Sequence, residues 1–390
     1  MRRFGGLEGL RAWLAWTVVF SHLVSFTGLG RWWPGLARAL GPLADGAVLV
    51  FTILSGFVIT HLILERREPY GPYIVRRFLR IYPVYLVALL AGMAGTHLAF
   101  DAFLVPPWGE WSPSTDRLLR QSISLASADV FWHLAAHLSM LHGAISSRVL
   151  YESQYMFLGP AWSLSLEWQF YLVAPLVVAL ATHRVGQVVL AGLALWGHSL
   201  YTCGVLGAFM LPSVLPGAAL YFGVGIATRL WIGNANAGLR AFPLALLMLL
   251  AGLLMNTVGL SPVLAWVAFV AMLLLDGRAT DMVSRCARWV FVHAFETRLA
   301  RWLGDHAYAT YLIHMPILQV VGWVCVKPLH LGWWPTVVVE VLVALPATLG
   351  ASVLLHRWVE LPAIRLGRRV RWLKPSSDTA ISAARLPVQG

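Results

Sequence analysis

Long apolar runs alternate with short polar segments along the chain. About 17–25 apolar residues are needed to cross the hydrocarbon of a bilayer as a helix. Runs of about this length occupy residues 12–30, 46–64, 83–100, 167–182, 187–207, 213–230, 241–258, 260–275, 308–326 and 334–356. The pattern therefore predicts an all-α polytopic membrane protein with about ten transmembrane helices.

The composition favours the same class. Hydrophobic residues make up 59% of the 390 residues and charged residues only 12%, whereas about a quarter of a soluble domain is charged. The three cysteines, Cys203, Cys286 and Cys325, have no paired spacing. This scatter predicts neither a disulfide framework nor a thiolate metal site, and we expect no bound metal.

The distribution of arginine and lysine predicts the orientation of the chain. If the N-terminus is cytoplasmic and all ten spans cross, 23 of the 29 basic residues lie on the cytoplasmic side. The basic residues on the other side are Arg31, Arg38, Arg117, Arg120, Arg148 and Lys327. This bias follows the positive-inside rule and predicts that both termini are cytoplasmic. Because topology accounts for the net charge of +12, no nucleic-acid partner is needed to explain it.

The polar segments divide the chain into a membrane domain, a loop and a tail. We expect the membrane domain over residues 1–374, with an extracytoplasmic loop at 100–160. Residues 375–390 are rich in Ser, Ala and Pro and are expected to form a disordered cytoplasmic tail. Aromatic, acidic and imidazole side chains of the loop make it a candidate sugar-binding surface: Trp108, Trp111, Asp116, Asp129, His133, His137 and Glu152.

The first apolar run contains two ionisable residues. Arg11 and His22 are eleven residues apart, which is almost three helical turns and places both side chains on one face, about 16 Å apart along the axis. Ionisable groups inside a membrane span indicate a functional site facing the bundle interior. Alternatively, Arg11 extends to the membrane edge and His22 hydrogen-bonds to a neighbouring helix.

A basic cluster marks the start of the third span. Arg77 and Arg80 are three residues apart and therefore neighbours on a helix, with Arg76 beside them and Tyr82 at the membrane entry. Guanidinium groups hold phosphates through paired hydrogen bonds. The same cluster also suits a topology signal or contact with anionic lipid.

Hydroxyl and carboxylate groups gather at the outer entrance of the fourth span. Ser163, Ser165 and Glu167 lie at the predicted start of this helix, next to Trp162. The helix dipole favours negative charge at this position, so the group is a candidate binding site. The alternative is helix capping combined with an interfacial aromatic belt.

A fourth cluster precedes a proline in the ninth span. Tyr311 and His314 share one helix face just before Pro316. Proline frees backbone carbonyl groups inside the membrane, and helices broken in this way often line cavities. A proline kink is also ordinary packing in membrane helices.

Six segments in this order resemble a known family and cover nearly the whole chain. They are the Arg11 to His22 pair, Leu54-Ser-Gly-Phe57, Arg76-Arg-Phe-Leu-Arg-Ile-Tyr-Pro83, Trp162-Ser-Leu-Ser-Leu-Glu-Trp-Gln-Phe-Tyr171, Leu312-Ile-His-Met-Pro316 and Val359-Glu-Leu-Pro362 after the last span. Together they resemble the membrane-bound acyltransferase 3 family, ten-helix bacterial proteins that O-acylate glycans. Two positions depart from the family pattern. Trp168 stands where a second acidic residue is common, and Glu8 stands where Asp is common.

The resemblance implies an integral-membrane O-acyltransferase of the inner (cytoplasmic) membrane. The donor would be cytoplasmic acyl-CoA, usually acetyl-CoA, and the acceptor a hydroxyl of a cell-surface or secreted glycan. Acyl-CoA would be a co-substrate, with no permanently bound cofactor. The CoA phosphates would meet Arg76, Arg77 and Arg80 on the inner side.

The resemblance also implies a division of roles within the bundle. His22 is expected to accept the proton of the attacking sugar hydroxyl as a general base. We expect Arg11 to contact the donor near its thioester, and Glu167 to orient either the imidazole or the sugar. The other side chains expected to bind substrate are Tyr82, Trp162, Ser163, Ser165, Tyr311 and His314.

Other interpretations remain open at this point. An acyl-histidine intermediate would replace direct transfer. A polysaccharide or lipid-linked-sugar transporter would also place polar residues in a ten-helix bundle. A b-type haem protein could use His22, His314 and His356 as axial ligands, and a non-enzymatic sensor or scaffold is a further alternative.

Overall fold

The regular structure of the described residues is helical throughout. The computed structural model describes residues 6–103, 120–121, 123–125, 129–233, 237–257, 261–275 and 281–370. The longer helices in these ranges are α1 Leu7–Phe26, α2 Leu29–Trp32, α3 Pro34–Arg66, α4 Tyr70–Phe103, α5 Val130–Leu138, α6 Trp162–Ala181, α7 Arg184–Thr202, α8 Leu215–Gly233, α9 Ala237–Thr257, α10 Ser261–Leu275, α11 Met282–Phe295, α12 Arg298–Val326 and α13 Trp333–Arg369. The predicted all-α class is therefore confirmed.

Each of the ten predicted apolar runs falls largely on one of these helices, and the run at 12–30 also extends into α2. By length and composition, six helices in the described ranges could cross a membrane: Pro34–Arg66, Tyr70–Ala102, Gly159–Ala181, Leu215–Gly233, Ala307–Val326 and Trp333–Arg369. Helix α1 is not among them, because polar residues such as Arg11 and His22 lower its hydropathy. The structure thus supports a multi-pass membrane protein, and the count of ten crossings stays a prediction.

The helix ends differ from the predicted span ends. Helices α3 and α4 begin twelve or more residues before their apolar runs, because arginine and alanine continue a helix as well as apolar residues do. Helix α1 instead stops early. Gly28 has φ 69°, in the left-handed region that glycine tolerates, and α2 starts afresh after it.

Helix α13 continues thirteen residues past its predicted end at residue 356. Two of its segments, Glu340–Ala344 and His356–Glu360, are π-helical. Such wide turns occur often at functional sites. The Val359-Glu-Leu-Pro362 segment was expected after the last helix, and that expectation is wrong, because Pro362 lies at the second position of a helical turn, where proline is tolerated.

Helix α1 packs between α12 and α3, and α12 packs in turn on α4. Its contact with α12 is a backbone contact. A Cβ added at Gly304 would lie 1.9 Å from the carbonyl oxygen of Glu8, so only glycine allows this approach. This close contact fixes the N-terminal part of α1, which carries Arg11, against the N-terminal part of α12, the helix that also carries His314.

The described part of the 100–160 loop packs against the helices. His133 and His137 are fully buried, and Glu152 is 8% exposed, so the expectation that these three residues offer a sugar-binding surface is wrong. Asp129 is exposed. Trp108, Trp111 and Asp116 lie outside the described residues, as does the predicted tail at 375–390.

The buried loop histidines pack as neutral rings. The rings of His137 and His142 stack with centroids 3.9 Å apart. Burial lowers the pKa of His142 to about 4 and holds the pKa of His137 well below its usual range. The Tyr85 hydroxyl lies 3.1 Å from Nδ1 of His137 and joins this cluster to α4. The cluster thus holds the loop in place beside the start of α6.

Candidate active site

A polar cavity of about 610 Å³ runs through the bundle. Helix α3 lines it from Val48 to Arg66, which corresponds to about 27 Å of helix, most of the thickness of a bilayer core. Six arginines face it: Arg11, Arg66, Arg76, Arg77, Arg80 and Arg368. Ser163 and Tyr311 line the cavity towards the end opposite Arg66 and Arg368. The cavity therefore has a strongly basic end and a hydroxyl-lined end.

His22 and His314 meet next to the hydroxyl-lined end. Nε2 of His314 lies 3.1 Å from Nδ1 of His22, although the residues are 292 positions apart. The ring of Tyr311 lies 6.2 Å from that of His314, centroid to centroid. His314 is fully buried and His22 is partly buried. The structure thus joins the first and fourth sequence clusters.

The hydrogen bonds of the two rings assign their protons. Nδ1 of His314 lies 3.2 Å from the carbonyl oxygen of Thr310, which only accepts, so this nitrogen carries the proton. Nε2 of the neutral ring then accepts from Nδ1–H of His22. That N–H is shared with the carbonyl oxygen of Val18, at 3.1 Å. With this tautomer, inferred from the bonding pattern, the lone pair of His22 is on Nε2, the nitrogen that can take a proton.

The short contact between the imidazoles bears on the haem interpretation. Metal–imidazole bonds are about 2 Å long, so nitrogens 3.1 Å apart leave no room for an iron atom between them. His356 lies elsewhere, 2.8 Å from a carboxylate oxygen of Glu360. The contact between His22 and His314 is therefore a hydrogen bond and not the arrangement of two axial haem ligands.

Glu167 projects into the cavity and is held by two hydroxyl groups. Ser55 Oγ donates to its Oε1 at 3.0 Å, and the Tyr171 hydroxyl donates to the same oxygen. Ser55 belongs to the Leu54-Ser-Gly-Phe57 segment, which had no predicted role. With its carboxylate held by Ser55 and Tyr171 at the cavity wall, Glu167 is placed to orient a substrate there.

The serines of this segment do not cap α6. The residue preceding the helix is Ala161, with no side-chain cap, so the capping interpretation is wrong. Ser163 Oγ lies 2.9 Å from the Tyr311 hydroxyl, which also donates to the carbonyl of Pro160 at 3.1 Å. Ser165 is fully buried and accepts from the backbone N–H of Gly143. Ser163 and Tyr311 therefore line the site, while Ser165 fastens the loop to the helix.

Two predicted substrate-binding aromatic residues have structural contacts instead. Trp162 is 7% exposed and belongs to the hydrophobic core. Tyr82 stacks on Phe78 at 4.4 Å between centroids, and its hydroxyl donates to the carbonyl of Leu138. Neither lines the cavity. Sequence spacing could not separate them from true lining residues, because all belong to the same short segments.

Two arginines of the basic cluster already have carboxylate partners. Arg76 forms an ion pair with Glu68 and donates from Nε to the carbonyl of Gly367 at 3.2 Å. Arg80 forms an ion pair with Glu360, which is fully buried. The bonds to Gly367 and Glu360 join α4 to the end of α13. Both guanidinium groups line the cavity but are partly neutralised.

Arg77 differs from its neighbours. Its Nε is buried without a hydrogen-bond partner, and its guanidinium carbon lies 6.0 Å from the centre of the Tyr171 ring. An unsatisfied guanidinium N–H at a cavity wall is costly unless a ligand or water occupies it. Of the predicted cluster, Arg77 therefore has the most unused capacity to bind an anion.

Sequence reasoning missed the role of Glu360. Its two carboxylate oxygens contact Arg80 and His356. The rings of His356 and His306 lie 4.6 Å apart, centroid to centroid. The Val359-Glu-Leu-Pro362 segment was noted for its resemblance, but nothing in its letters indicated a partner 280 residues away.

The bundle thus combines a charged cavity between apolar helices with an imidazole pair beside the hydroxyl-lined end of that cavity, which suits a membrane-embedded enzyme. The chain belongs to the acyltransferase 3 family, whose acyltransferase domain matches residues 4–357. This is a family of enzymes that transfer acyl groups.

Similar proteins include three from Staphylococcus aureus, strains COL, MSSA476 and MRSA252, whose names propose O-acetyltransferase activity. Each is 24% identical over 215 residues, 53% of this chain and 30% of the relative. The chain thus spans less than a third of the length of these curated relatives. No solved structure matches the chain.

Breaking the Arg80–Glu360 pair should destabilise the bundle. Glu360→Ala leaves a guanidinium without its counter-charge, and Arg80→Ala leaves a buried carboxylate, so each should lower the free energy of unfolding by about 3 kcal/mol. Denaturant titration of the purified protein in detergent measures this. The double variant should lose clearly less free energy of unfolding than the two single variants lose together.

The exposed pair between Lys327 and Asp101, 3.1 Å apart, provides the control. Asp101→Ala should leave the free energy of unfolding nearly unchanged, because solvent screens such pairs. If the losses of unfolding free energy in Arg80→Ala and Glu360→Ala simply add up in the double variant, the two side chains do not depend on each other and the prediction is wrong.

Proposed function

We propose that the protein transfers an acyl group from acyl-CoA, usually acetyl-CoA, to a hydroxyl of a cell-surface or secreted glycan. The observation that carries the proposal is one cavity with arginines at one end and the hydroxyls of Ser163 and Tyr311 at the other, next to the His22–His314 pair. Acyl-CoA carries phosphates that suit arginine and a thioester that suits attack by a hydroxyl. The chain's own family and the names of its relatives support acyl transfer to oxygen.

In the proposed reaction, Nε2 of His22 takes the proton of the acceptor hydroxyl as its oxygen attacks the thioester carbonyl. The carbon–sulfur bond breaks, the acyl ester forms, and the proton passes to the departing thiolate of CoA. His314 acts as a positioning residue, because its Nε2 fixes the tautomer and orientation of the His22 ring. Direct transfer needs no acyl-enzyme intermediate.

The donor is proposed to enter from the basic end. Arg77 offers an unsatisfied N–H, while Arg76 and Arg80 contribute charge that their carboxylates partly balance. Arg11 lines the same cavity on α1 and would contact the donor near its thioester. Glu167, held by Ser55 and Tyr171, would orient the substrates between the two ends.

The proposed orientation places the basic end in the cytoplasm, where CoA is available. Ten crossings with both termini cytoplasmic would put this multi-pass protein in the inner (cytoplasmic) membrane, with the His22 end towards the outside. The positive-inside distribution of the basic residues supports this orientation. The acceptor glycan would then approach from the outer side.

Two native cysteines test the orientation. Cys203 follows α7 and Cys286 lies on α11; both are exposed, whereas Cys325 is buried. In right-side-out vesicles an impermeant maleimide should label Cys203 at once and Cys286 only after permeabilisation. Mass spectrometry of Cys203→Ser and Cys286→Ser variants assigns the labels, and Cys325 should stay unmodified. The reverse order of labelling would refute the proposed orientation.

Removing the base should abolish transfer. His22→Ala should lower the turnover of radiolabelled acetyl-CoA into the glycan fraction of membrane vesicles by about 10²–10⁴-fold. His314→Gln keeps an acceptor near His22 and should retain more activity than His314→Leu. Levels of inserted protein are compared in parallel. Near-normal turnover of correctly inserted His22→Ala would rule out the base assignment.

Removing the unsatisfied guanidinium should weaken donor binding. Arg77→Ala should raise the KM for acetyl-CoA at least tenfold with a smaller effect on kcat, because phosphate contacts are alike in ground and transition states. Arg77→Lys should restore donor binding only in part, since an ammonium group lacks the planar, forked arrangement of N–H donors of a guanidinium. Arg38→Ala is the control, because Arg38 is exposed near the N-terminal end of α3. An unchanged KM for Arg77→Ala would place the donor elsewhere.

A further inference from the structure

A second cavity lies beside the first and is almost wholly apolar. It has a volume of about 420 Å³ and lies between α6, α7, α8 and α9. Among the described residues that line it, the only amide or charged side chain is Gln187, whose Nε2 donates to the carbonyl of Ala181 at 2.8 Å. Its outer rim carries Leu193 and Trp196, 53% and 63% exposed. Hydrocarbon is the chemistry that fits this chamber, because burying a methylene group in such a lining is favourable by about 0.8 kcal/mol.

Phe222 separates the two cavities. It lines both of them and is 3% exposed. Its ring stacks on Phe170, with centroids 4.0 Å apart and planes at 15°. Phe170 lines the apolar chamber and follows Glu167 by three residues on α6, so this wall stands beside the carboxylate that projects into the polar cavity.

The position of this wall is fixed by the backbone. A Cβ added at Gly56 would lie 2.4 Å from the carbonyl oxygen of Phe222, and one added at Gly225 would lie 2.0 Å from that of Ile53. Helices α3 and α8 therefore pack with their backbones in contact. Since α8 cannot shift towards α3, the side chain of Phe222 determines whether the cavities connect.

We propose that Phe222 limits the length of the acyl chain that the polar cavity accepts, and that the chamber behind it binds a hydrocarbon chain. The length limit rests on the proposed function, since it requires the acyl end of CoA in the polar cavity. A short acyl group fits in front of the ring. A longer chain would meet the ring, and removal of the ring would open a path into an apolar lining.

Binding measurements test this without knowledge of the acceptor. Calorimetry on the purified protein in nanodiscs compares CoA, acetyl-CoA and octanoyl-CoA. Wild type should bind acetyl-CoA at least as tightly as octanoyl-CoA. Phe222→Ala should shift the ratio of the two affinities at least tenfold towards octanoyl-CoA, with CoA itself nearly unchanged. If Phe222→Ala fails to fold, Phe222→Leu should shift the ratio in the same direction by less.

Leu250→Ala is the matched control. Leu250 lines the chamber from α9, does not line the polar cavity and is 3% exposed, so its loss enlarges the chamber without opening the wall, and the ratio should stay as in wild type. An unchanged ratio in folded Phe222→Ala, or a preference of wild type for octanoyl-CoA, would overturn the inference while leaving acyl-CoA binding intact. Failure of wild type to bind CoA would instead refute the proposed donor site, and the length limit with it.

Discussion

An arginine inside a membrane-spanning bundle is stable only beside a counter-charge or water, and this constraint shapes the centre of the protein. Arg80 is matched by Glu360, and Arg229 donates to Glu65 at 3.2 Å and to His61 at 3.0 Å. Taking two charges out of water costs several kcal/mol each. The polar cavity lowers that cost, because water or an anionic ligand can reach the guanidinium groups that line it. The pairs also determine which helices pack together, since α4 must meet the end of α13.

This arrangement also accounts for the difference between the arginines. A guanidinium group that is paired with a carboxylate has much of its charge balanced and many of its hydrogen bonds already made. It therefore holds helices in position and adds only a weak positive potential to the cavity. An unsatisfied one, such as Arg77, can gain new hydrogen bonds when an anion arrives. The π-helical turn at His356–Glu360 widens α13 where Glu360 reaches Arg80. Bonding geometry, rather than the number of arginines, therefore distinguishes Arg77 from its paired neighbours.

Much of the fold follows from local sequence, and much of the site does not. Hydropathy located the apolar segments of most of the described helices, because the bilayer requires a run of fixed length. It misplaced the ends of α3, α4 and α13, since charged residues continue a helix beyond the hydrocarbon. Helical spacing correctly placed Arg11 and His22 on one helix, and Tyr311 near His314. It could not show that His22 meets His314, or that Ser55 and Tyr171 hold Glu167, because those contacts depend on how distant helices pack.

The same limit applies to residues that lie next to the cavity without lining it. Trp162 and Ser165 stand within a segment that contributes to the cavity, yet they face the core and the loop. Within one turn of a helix, neighbouring positions point in different directions, and only the packing partners decide which direction is the interior of the site. Glu360 illustrates the converse. It lies near the end of the described chain, far in sequence from the other clusters, and it becomes part of the site because Arg80 requires a counter-charge. In a membrane bundle, then, buried charges identify their partners more reliably than proximity along the sequence does.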